Sequence, residues 1–398
     1  MASAWLLDLT RSLRRAGGTI TGIDRVERAY LDAFLNSDAD VYALLRTAFG
    51  YVLLDRSGMA AFRERLCGQK EWPEPDRLSR IPRGRNQSLK SAETLVRAKA
   101  IARCLPGRLG RMMAAHLPRG IAYFNVGHSN LTERVLVQVA QSGGTIHVFV
   151  HDMIPLEHPE FQKLGTVRPF RERMQRVSRL ADRVIHNSTD TRDRAERFMR
   201  EWGRVPPSIV APLGVTVAAP DTSALPVGVL PNRPYFVTIG TIEPRKNHAF
   251  LLDLWEDLGP DPPPLLICGS RGWSNADVFR RLDALGPDGP IRELRGLPDP
   301  AIAALVQRSA GALFPSLAEG FGLPPAEALM LGSRVLCNDL AVLRGILEGK
   351  ATFATVSDKE FWIKTINDWG NNPPRAVQTT VFVGPTWEDH FKTVLRLT

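Results

Sequence analysis

Residues 312–329 of the chain read ALFPSLAEGFGLPPAEAL. The short apolar run Ala312–Phe314 is typical of a buried strand, and the apolar stretch after the prolines is typical of a helix. Pro325 suits the first turn of that helix, so we expect Glu327 in the first turn and Glu319 on the loop before it. A strand, a loop and a helix in this order are the repeating unit of an α/β fold.

Glycines and prolines separate the two carboxylates of this stretch. Gly320 and Gly322 open the backbone, so that N–H groups there can approach a ligand. Glu319 and Glu327 are therefore not expected on one helix face, and we expect them to reach different parts of one ligand that offers vicinal hydroxyls. The alternative interpretation of Glu327 is a helix N-terminal acid that interacts favourably with the helix dipole.

Short apolar runs alternate with longer amphipathic stretches along the rest of the chain. The runs that we predict to be strands are Trp5–Leu9, Val41–Leu45, Ile121–Val126, Ile146–Val150, Val184–Asn187, Ile209–Ala211, Tyr235–Ile239, Pro264–Cys268, Ile291–Leu294, Ala312–Phe314 and Val335–Asn338. This alternation predicts parallel sheets that are covered by helices on both faces. Ligands of such sheets bind beyond the carboxyl ends of the strands, so we expect functional residues on the loops that follow strands.

The alternation restarts near residue 233, after a stretch rich in Pro, Gly, Ala and Val. A chain of 398 residues is long enough for two domains. We therefore predict an N-terminal α/β domain at 1–213, a linker at 214–232 and a C-terminal α/β domain at 233–383. A final helix is predicted within 384–398, after a Gly-Pro break.

A second loop with charged residues follows the predicted strand Tyr235–Ile239. Gly240 lets the chain turn tightly, and Arg245 and Lys246 stand just before a predicted helix. A helix N-terminus favours anions through its free N–H groups, and an adjacent guanidinium and ammonium strengthen that preference. The loop is therefore a candidate diphosphate site, with a solvated Arg-Lys pair as the alternative.

Together the two loops resemble those of a known enzyme family. The segments Gly240-Thr241, Pro244-Arg245-Lys246-Asn247 and Glu319-Gly320-Phe321-Gly322-Leu323-Pro324-Pro325-Ala326-Glu327 are similar to the motifs of the retaining glycosyltransferases of family 4, also called group 1. The resemblance implies a GT-B fold, in which two Rossmann-like domains face a central cleft and a C-terminal helix crosses back to the N-terminal domain. It also implies that the N-terminal domain binds the acceptor and the C-terminal domain binds the nucleotide-sugar donor.

The resemblance further implies roles for individual residues. Arg245 and Lys246 would hold the donor diphosphate, Glu319 would lie by the donor sugar, and Glu327 would bind the nucleotide ribose. Other donor contacts are implied at Gly240, Leu297, Gly320, Phe321, Gly322 and Leu323. We expect Arg245, Lys246 and Glu319 to act in catalysis, and the sequence leaves open whether Glu319 is a nucleophile.

The glycine pair Gly17-Gly18 stands after the first predicted strand and before a helix. It looks like the family's glycine loop near the donor phosphate, although Thr19–Thr21 separate it from the next glycine. A donor contact at Gly17 and Gly18 is therefore expected, and a plain connection between strand and helix is the alternative.

His151 and Asp152 follow the predicted strand Ile146–Val150. A histidine at the carboxyl end of a strand can donate a hydrogen bond to a sugar hydroxyl or phosphate. We expect His151 to act in catalysis and Asp152 to lie on the acceptor side, with a packed histidine beside a turn aspartate as the alternative. This segment, together with His158-Pro159-Glu160, resembles a subgroup that builds bacterial surface polysaccharides, often from mannose.

The expected activity is transfer of mannose from GDP-mannose to a saccharide or polyprenyl-diphosphate-linked acceptor in cell-surface polysaccharide synthesis. A UDP- or dTDP-sugar donor, a sugar-nucleotide 2-epimerase and a non-catalytic nucleotide-sugar-binding partner are the alternatives. No Asp-x-Asp motif stands in a suitable place, so we expect no metal ion, and we expect no cofactor.

The net charge of +9 is concentrated between residues 77 and 119. This stretch holds eleven basic residues against Glu93 alone and includes Leu89, Leu95 and Val96. It predicts contact with an anionic membrane surface, with a solvated helix face as the alternative. Nucleic acid is not expected, because no recognition motif accompanies the charge.

Four widely spaced cysteines and the absence of any long apolar run predict a cytoplasmic protein with reduced thiols and no membrane span. If the basic stretch does contact a membrane, we expect that contact at the inner face.

Overall fold

The computed structural model describes residues 2–82, 84–286, 289–373 and 382–396. The strands are β1 Trp5–Asp8, β2 Val41–Thr47, β3 Gly50–Asp55, β4 Ala102–Cys104, β5 Ala122–Asn125, β6 Thr145–Val150, β7 Arg183–His186, β8 Ser208–Val210, β9 Phe236–Ile239, β10 Leu265–Cys268, β11 Ile291–Leu294, β12 Gly311–Phe314, β13 Val335–Cys337 and β14 Thr352–Phe353. The helices are α1 Thr10–Arg14, α2 Gly22–Leu35, α3 Arg56–Leu66, α4 Arg77–Arg80, α5 Gln87–Ala98, α6 Leu109–His116, α7 Glu133–Gln141, α8 Ile154–Glu157, α9 Val167–Leu180, α10 Thr189–Glu201, α11 His248–Asp257, α12 Ala276–Ala284, α13 Asp299–Arg308, α14 Leu323–Met330, α15 Ala341–Leu347, α16 Lys359–Asn371 and α17 Trp387–Leu395.

Contacts divide the chain into two compact units. The first unit contains the chain up to His151, Pro169–Ala211 and the C-terminal segment from Trp387. The second unit contains Asp152–Arg168 and Pro212–Thr386. The segment Asp152–Arg168 therefore groups with the second unit, although it lies inside the range predicted for the N-terminal domain.

The first unit is built on an eight-stranded sheet with the order β4-β3-β2-β1-β5-β6-β7-β8. Strands β1, β2 and β5 to β8 are parallel, while β3 pairs antiparallel with both β2 and β4. Leu6 and Leu7 of β1 are fully buried, because a central strand that is covered on both faces has no solvent side. The antiparallel edge departs from the purely parallel sheet that the sequence pattern predicts.

The second unit is built on a six-stranded parallel sheet with the order β11-β10-β9-β12-β13-β14. Its core packs Phe236 of β9, Leu251 and Trp255 of α11, and Trp362 of α16 together. Strands β9 and β12 are neighbours, with Phe236 aligned with Gly311. Because both strands point the same way, the loops that follow them leave the sheet at the same edge.

The C-terminal helix α17 packs in the first unit. His390 is buried, and its Nδ1–H donates to the carbonyl of Ala211 at 3.2 Å while Nε2 accepts from the Tyr30 hydroxyl at 2.9 Å. The predicted linker range 214–232 belongs to the second unit. Residues 374–381 of the predicted C-terminal domain, residues 397–398 of the final segment and Met1 lie outside the described residues.

No helix among the described residues is long and apolar enough to cross a membrane.

Candidate functional site

The loops after β9 and β12 contact each other through their backbones. The N–H of Leu317 donates to the carbonyl of Arg245 at 2.7 Å, and the Asn247 side chain donates to the carbonyl of Pro315 at 3.3 Å. Asn247 has a left-handed conformation, with φ of 56°, which asparagine tolerates better than most residues. The two motifs recognised in the sequence therefore form one structure at one edge of the sheet.

Two cations and two carboxylates form a compact cluster on these loops. Glu319 accepts from Lys246 Nζ at 2.5 Å through Oε1 and from Arg245 Nη1 at 2.9 Å through Oε2. Arg245 Nε lies 2.7 Å from Oε1 of Glu243. The side chains of Lys246, Glu319 and Glu243 are each less than 10% exposed, so the cluster is shielded from water.

The cluster holds Glu319 in its charged form. Burial alone would raise the pKa of Glu319, but Lys246 and Arg245 lower it to about 2. Burial alone would lower the pKa of Arg245, and Glu319, Glu243 and Asp152 more than offset that effect. Glu319 is therefore ionised at neutral pH and is not a general acid there.

Hydrogen-bond donors of both cations remain available to a ligand. Arg245 uses Nε for Glu243 and Nη1 for Glu319 and the carbonyl of Ala318, and Lys246 Nζ donates to Glu319. Within the described ranges of the chain, Arg245 Nη2 makes no hydrogen bond, and Lys246 Nζ makes no second one. Since a guanidinium has five N–H donors and an ammonium three, the pair retains donors for phosphate oxygens.

Glycines shape the backbone around this cluster. Gly240 has φ of 138°, and a Cβ atom on it would lie 3.4 Å from Cε of Lys246, whose side chain passes over it. Gly269 packs so closely that a Cβ atom would lie 1.9 Å from the carbonyl oxygen of Gly240. Gly240 requires glycine because of its positive φ, and Gly269 requires it because the loops after β9 and β10 touch through their main chains.

The Gly-Phe-Gly loop leads directly into α14. Phe321 is buried, and Gly322 is the N-cap residue of the helix with φ of 95°. Because α14 begins at Leu323, Glu327 is its fifth residue, and the first turn contains no acidic residue. The expectation that Glu327 lies in the first turn is therefore wrong, because the helix starts two residues before Pro325. Gly320, Leu323 and Glu327 are partly exposed.

Asp152 lies in the same unit as the cluster, close enough to Arg245 for their charges to interact. Burial raises the pKa of Asp152, and Arg245 opposes that rise. Asp152 Oδ1 accepts from the backbone N–H of Ile154 at 3.1 Å, so the residue also makes the turn that starts α8. Sequence reasoning assigned Asp152 to the acceptor side and did not anticipate its electrostatic contact with Arg245.

The loop after β10 ties the segment Asp152–Arg168 to the second unit. Trp273 Nε1 donates to the carbonyl of Phe161 at 2.9 Å, and Arg271 forms a backbone bridge with Ile242 of the Arg-Lys loop. Residues 271–273 of this loop thus contact both the Arg-Lys loop and the segment Asp152–Arg168.

Leu297 follows β11 and is partly buried. Strand β11 is the edge strand of the sheet and lies two positions from β9. Leu297 therefore lies at the same edge of the sheet as the charged cluster, beyond the carboxyl ends of the strands, but on a more distant loop.

Gly17 and Gly18 follow α1, a five-residue helix that the sequence analysis did not predict between β1 and the glycines. Gly17 is exposed and has φ of 75°, and a Cβ atom on it would lie 2.3 Å from Oγ of Ser88. The glycine is thus required by its left-handed turn and by its contact with α5. That local requirement is independent of any ligand.

His151 is buried in the first unit and is neutral. Its Nε2–H donates to the carbonyl of Val126 at 2.7 Å, and its ring packs 4.6 Å from the ring of Phe149. Burial lowers the pKa of His151 to about 4. The Nε2 proton is therefore used by a carbonyl, which leaves Nδ1 as an acceptor, whereas the sequence analysis expected His151 to donate. The expected catalytic role of His151 stays a prediction.

Sequence reasoning missed Glu243, the second carboxylate that holds Arg245. Its signal is present in the loop sequence, because an acid immediately before Pro244-Arg245 at the end of a strand is placed to fold back on the arginine.

No group of three or more His, Cys, Asp or Glu side chains in the described part of the chain is arranged to hold a metal ion. Metal independence itself stays a prediction.

Comparison with protein families gives a match in the second half of the chain. Residues 226–380 match the family described as glycosyl transferases group 1. Among curated proteins, the serotype-specific mannosyltransferase WbdA of Escherichia coli is 28% identical over 236 residues, which is 55% of this chain and 29% of WbdA. The O-antigen chain mannosyltransferase B of Escherichia coli is 32% identical over 127 residues, which is 31% of this chain and 33% of that protein. The chain thus spans about a third or less of the length of these relatives.

Among solved structures, Anabaena Alr3699/HepE in complex with UDP-glucose aligns over 99% of this chain and 94% of its own, with a TM-score of 0.61 and 14% identity. At this identity the likeness concerns the fold alone. The expectation of a GT-B fold with two α/β units is confirmed.

Proposed function

Since the chain carries a glycosyl transferases group 1 domain at residues 226–380, we propose that it is a retaining hexosyltransferase. The proposed enzyme moves a sugar from a nucleoside diphosphate to a saccharide acceptor. The observation that carries the proposal is the cluster of Arg245, Lys246, Glu243 and Glu319 on the loops after β9 and β12.

The chemistry of sugar transfer fits such a cluster. When the bond between sugar and diphosphate breaks, negative charge grows on the leaving phosphate, and cations fixed in advance stabilise that charge. Arg245 and Lys246 are held by carboxylates before any ligand arrives, and both keep donors for phosphate oxygens. Little reorganisation is then needed at the moment of reaction.

Glu319 acts in this proposal through the cations. Both of its carboxylate oxygens are engaged by Lys246 and Arg245, an arrangement that suits a positioning group better than a nucleophile. Retention of configuration then follows from attack on the same face as the departing diphosphate, with the leaving phosphate taking the acceptor proton. The remaining contacts in the proposed donor site are those implied by the family resemblance, including Glu327 to the ribose.

His151 contributes as an acceptor of hydrogen bonds in the proposed enzyme. Its neutral ring offers Nδ1 to a sugar hydroxyl, because Nε2–H is already used by Val126. Asp152 is proposed on the acceptor side, with a charge that also interacts with Arg245.

We propose mannose from GDP-mannose as the donor and a growing cell-surface polysaccharide as the acceptor, free or linked to a polyprenyl diphosphate. The support comes from the two Escherichia coli relatives, both named mannosyltransferases and one of them an O-antigen chain enzyme.

The basic stretch 77–119 is proposed to contact an anionic membrane at its inner face. Four apolar side chains of this stretch, Leu78, Ile81, Ile101 and Leu105, are exposed. In contrast, Leu95 and Val96 of α5 are buried in the first unit, so the apolar face of α5 is not available for lipid. Arg83 lies outside the described residues.

Not all of the basic residues in this stretch are available to a membrane. Arg85 and Arg97 pair with Glu93, which leaves other basic residues of the stretch to face lipid headgroups.

Calorimetric titration of the protein with GDP, UDP and dTDP tests the proposal. We expect GDP to bind most tightly. We also expect Lys246→Ala to weaken binding about tenfold or more, as the loss of a charge-assisted hydrogen bond predicts. The matched control is Lys359→Ala, which removes the same charge from an exposed lysine paired with Asp257 and should leave binding unchanged.

A preference for UDP or dTDP would contradict the mannose donor and retain the transferase. Absence of binding to all three nucleotides, or equal binding by wild type and Lys246→Ala, would contradict the proposed site itself.

A further inference from the structure

Three arginines of the first unit, on two helices that contact the loop after β5, lie close enough for their charges to interact. Arg173 and Arg176 lie on α9 and Arg14 lies on α1. We call Arg14, Arg173 and Arg176 the arginine group. None of its members was singled out by the sequence motifs, and none belongs to the cluster described above.

The two helices that carry the group, α9 and α1, both contact residues 127–131. Arg176 Nε donates to the carbonyl of Leu131 at 3.0 Å, and the ring of Phe170 lies 6.2 Å from that of His128. From the other side, Gly127 packs on α1 so tightly that a Cβ atom would lie 2.8 Å from Cβ of Arg11. The loop thus joins the start of the chain to α9.

The arginine group has no acidic partner. In the part of the chain that the structure describes, Arg14, Arg173 and Arg176 make no ion pair, whereas the neighbouring Arg11 and Arg15 share Asp24 at 2.8 Å. Burial lowers the pKa of Arg173, and the charges of Arg176, Arg14 and Arg11 lower it further. Arg173 is therefore a partly buried cation surrounded by like charges.

Glu27, whose buried carboxyl group lies beside Gly127, does not neutralise these charges. Burial raises the pKa of Glu27 to about 8, so this group is largely protonated at neutral pH. Its Oε2 accepts from the backbone N–H of Ser12 at 2.7 Å, and the Ser12 hydroxyl is close to the same oxygen. Glu27 therefore adds little negative charge beside residues 127–131 at neutral pH.

A partly buried arginine without a counterion is unfavourable in the free protein, because burial removes water and no anion replaces it. A bound anion would supply the missing counterion and remove this unfavourable contribution. The guanidinium group presents planar, bidentate donors that match phosphate oxygens, and three such groups lie within electrostatic range of one another here. We propose that the arginine group is a binding site for a phosphate group carried by the acceptor.

The assignment of this phosphate to the acceptor rests on the proposed function, whereas the anion site itself does not. A phosphorylated saccharide and a lipid-linked saccharide diphosphate both offer this chemistry. In either case, the arginine group would bind a part of the acceptor that does not react, and so contribute to acceptor affinity and selection.

The test is titration of the full-length protein with inorganic pyrophosphate and with methyl phosphate, without nucleotide. The protein carries Lys246→Ala, so that anion binding by the second unit is weakened. We expect binding to persist in this background and to weaken about tenfold or more when Arg173→Ala is added. Arg171→Ala removes an exposed arginine from the same helix and should leave binding unchanged.

Arg14→Ala is a second variant with which to test anion binding by the arginine group, because Arg14 is exposed and its loss does not disturb the core. It should also weaken pyrophosphate binding. Tighter binding of pyrophosphate than of methyl phosphate supports a diphosphate-linked acceptor, and the reverse supports a phosphorylated saccharide.

Equal losses in Arg173→Ala and Arg171→Ala, or no anion binding in the Lys246→Ala background, would overturn the site. So would loss of binding to phosphatidylglycerol vesicles in Arg173→Ala with pyrophosphate binding intact, because the group would then serve a membrane. Any pyrophosphate that Arg245 still binds is unaffected by Arg173→Ala, so the loss in that variant measures the arginine group, and failure of the proposed function is seen separately in the nucleotide titration.

Discussion

Each unit buries a glutamate near arginines, and the two glutamates have opposite charge states. In the second unit, Lys246 and Arg245 lower the pKa of Glu319 to about 2. In the first unit, burial raises the pKa of Glu27 to about 8, since Arg11 is engaged by Asp24 instead. The difference arises from direct ion pairing, because both carboxyl groups are buried.

The arginines of the two units differ in the same way. Arg245 is held by two carboxylates before any ligand binds, whereas Arg173 has only like charges around it. A cation that is ion-paired before the ligand binds suits a site where negative charge develops during the reaction, since the position of the cation is fixed in advance. An unpaired cation suits a site that binds an anion already charged. The comparison thus separates a candidate reaction centre from a candidate binding site.

The largest expected effect comes from breaking the paired cluster. Glu319→Gln keeps the shape of the side chain but leaves Lys246 buried without its carboxylate partner. Removal of one member of a buried ion pair costs about 3–5 kcal/mol of unfolding free energy. Urea denaturation at neutral pH measures the loss, and Glu360→Gln, at an exposed glutamate of α16, is the control.

The corresponding substitution in the first unit should change the free energy of unfolding in the opposite direction. Arg173→Met keeps most of the side-chain length and removes a cation from a group of like charges, so we expect a gain of about 0.2–0.5 kcal/mol, the size of a helical like-charge pair. A clear loss of stability in Arg173→Met, or none in Glu319→Gln, would contradict the contrast between the units.

A smaller effect on the free energy of unfolding, which changes gradually with pH, is expected from Glu27. Between about pH 4.5 and 8 the folded protein keeps a proton on Glu27 that the unfolded chain has lost. Stability contributed by this group therefore falls as pH rises, by up to about 1.4 kcal/mol per pH unit. Glu27→Gln cannot ionise, so we expect its stability to decline less between pH 5 and 8.

Urea denaturation at several pH values gives the slope for wild type and Glu27→Gln. Glu71→Gln changes an exposed glutamate and should reproduce the wild-type slope. If Glu27→Gln also follows the wild-type slope, Glu27 is ionised in the folded protein, and the surplus positive charge inferred around the arginine group is reduced.

Much of the fold follows from local sequence patterns. The predicted strands overlap β1, β2 and β5 to β13, because the interior strands of parallel sheets are continuous apolar runs. Strand β3, Gly50–Asp55, was missed although Tyr51–Leu54 form a buried apolar run, and the other two missed strands have weaker patterns. Strand β4 is the short segment Ala102–Cys104 with an exposed arginine, and β14 has two residues.

The part of the candidate site in the second unit was also predictable, because its charged residues lie on loops after the neighbouring strands β9 and β12. Glu243 was missed, because its signal is its position directly before Pro244-Arg245 and not a periodic pattern. The arginine group was not predictable, because Arg14 and Arg173 are far apart in sequence and are joined only by tertiary contacts of α1 and α9 with residues 127–131.

The most direct test of the central claim is release of GDP from GDP-mannose by the purified protein, with and without a saccharide acceptor. We expect GDP to be released only when acceptor is present. The rate of release should fall by about 10²-fold or more in Lys246→Ala, equivalent to about 3 kcal/mol of transition-state stabilisation. Release at the same rate without acceptor, or full activity in Lys246→Ala, would contradict the central claim.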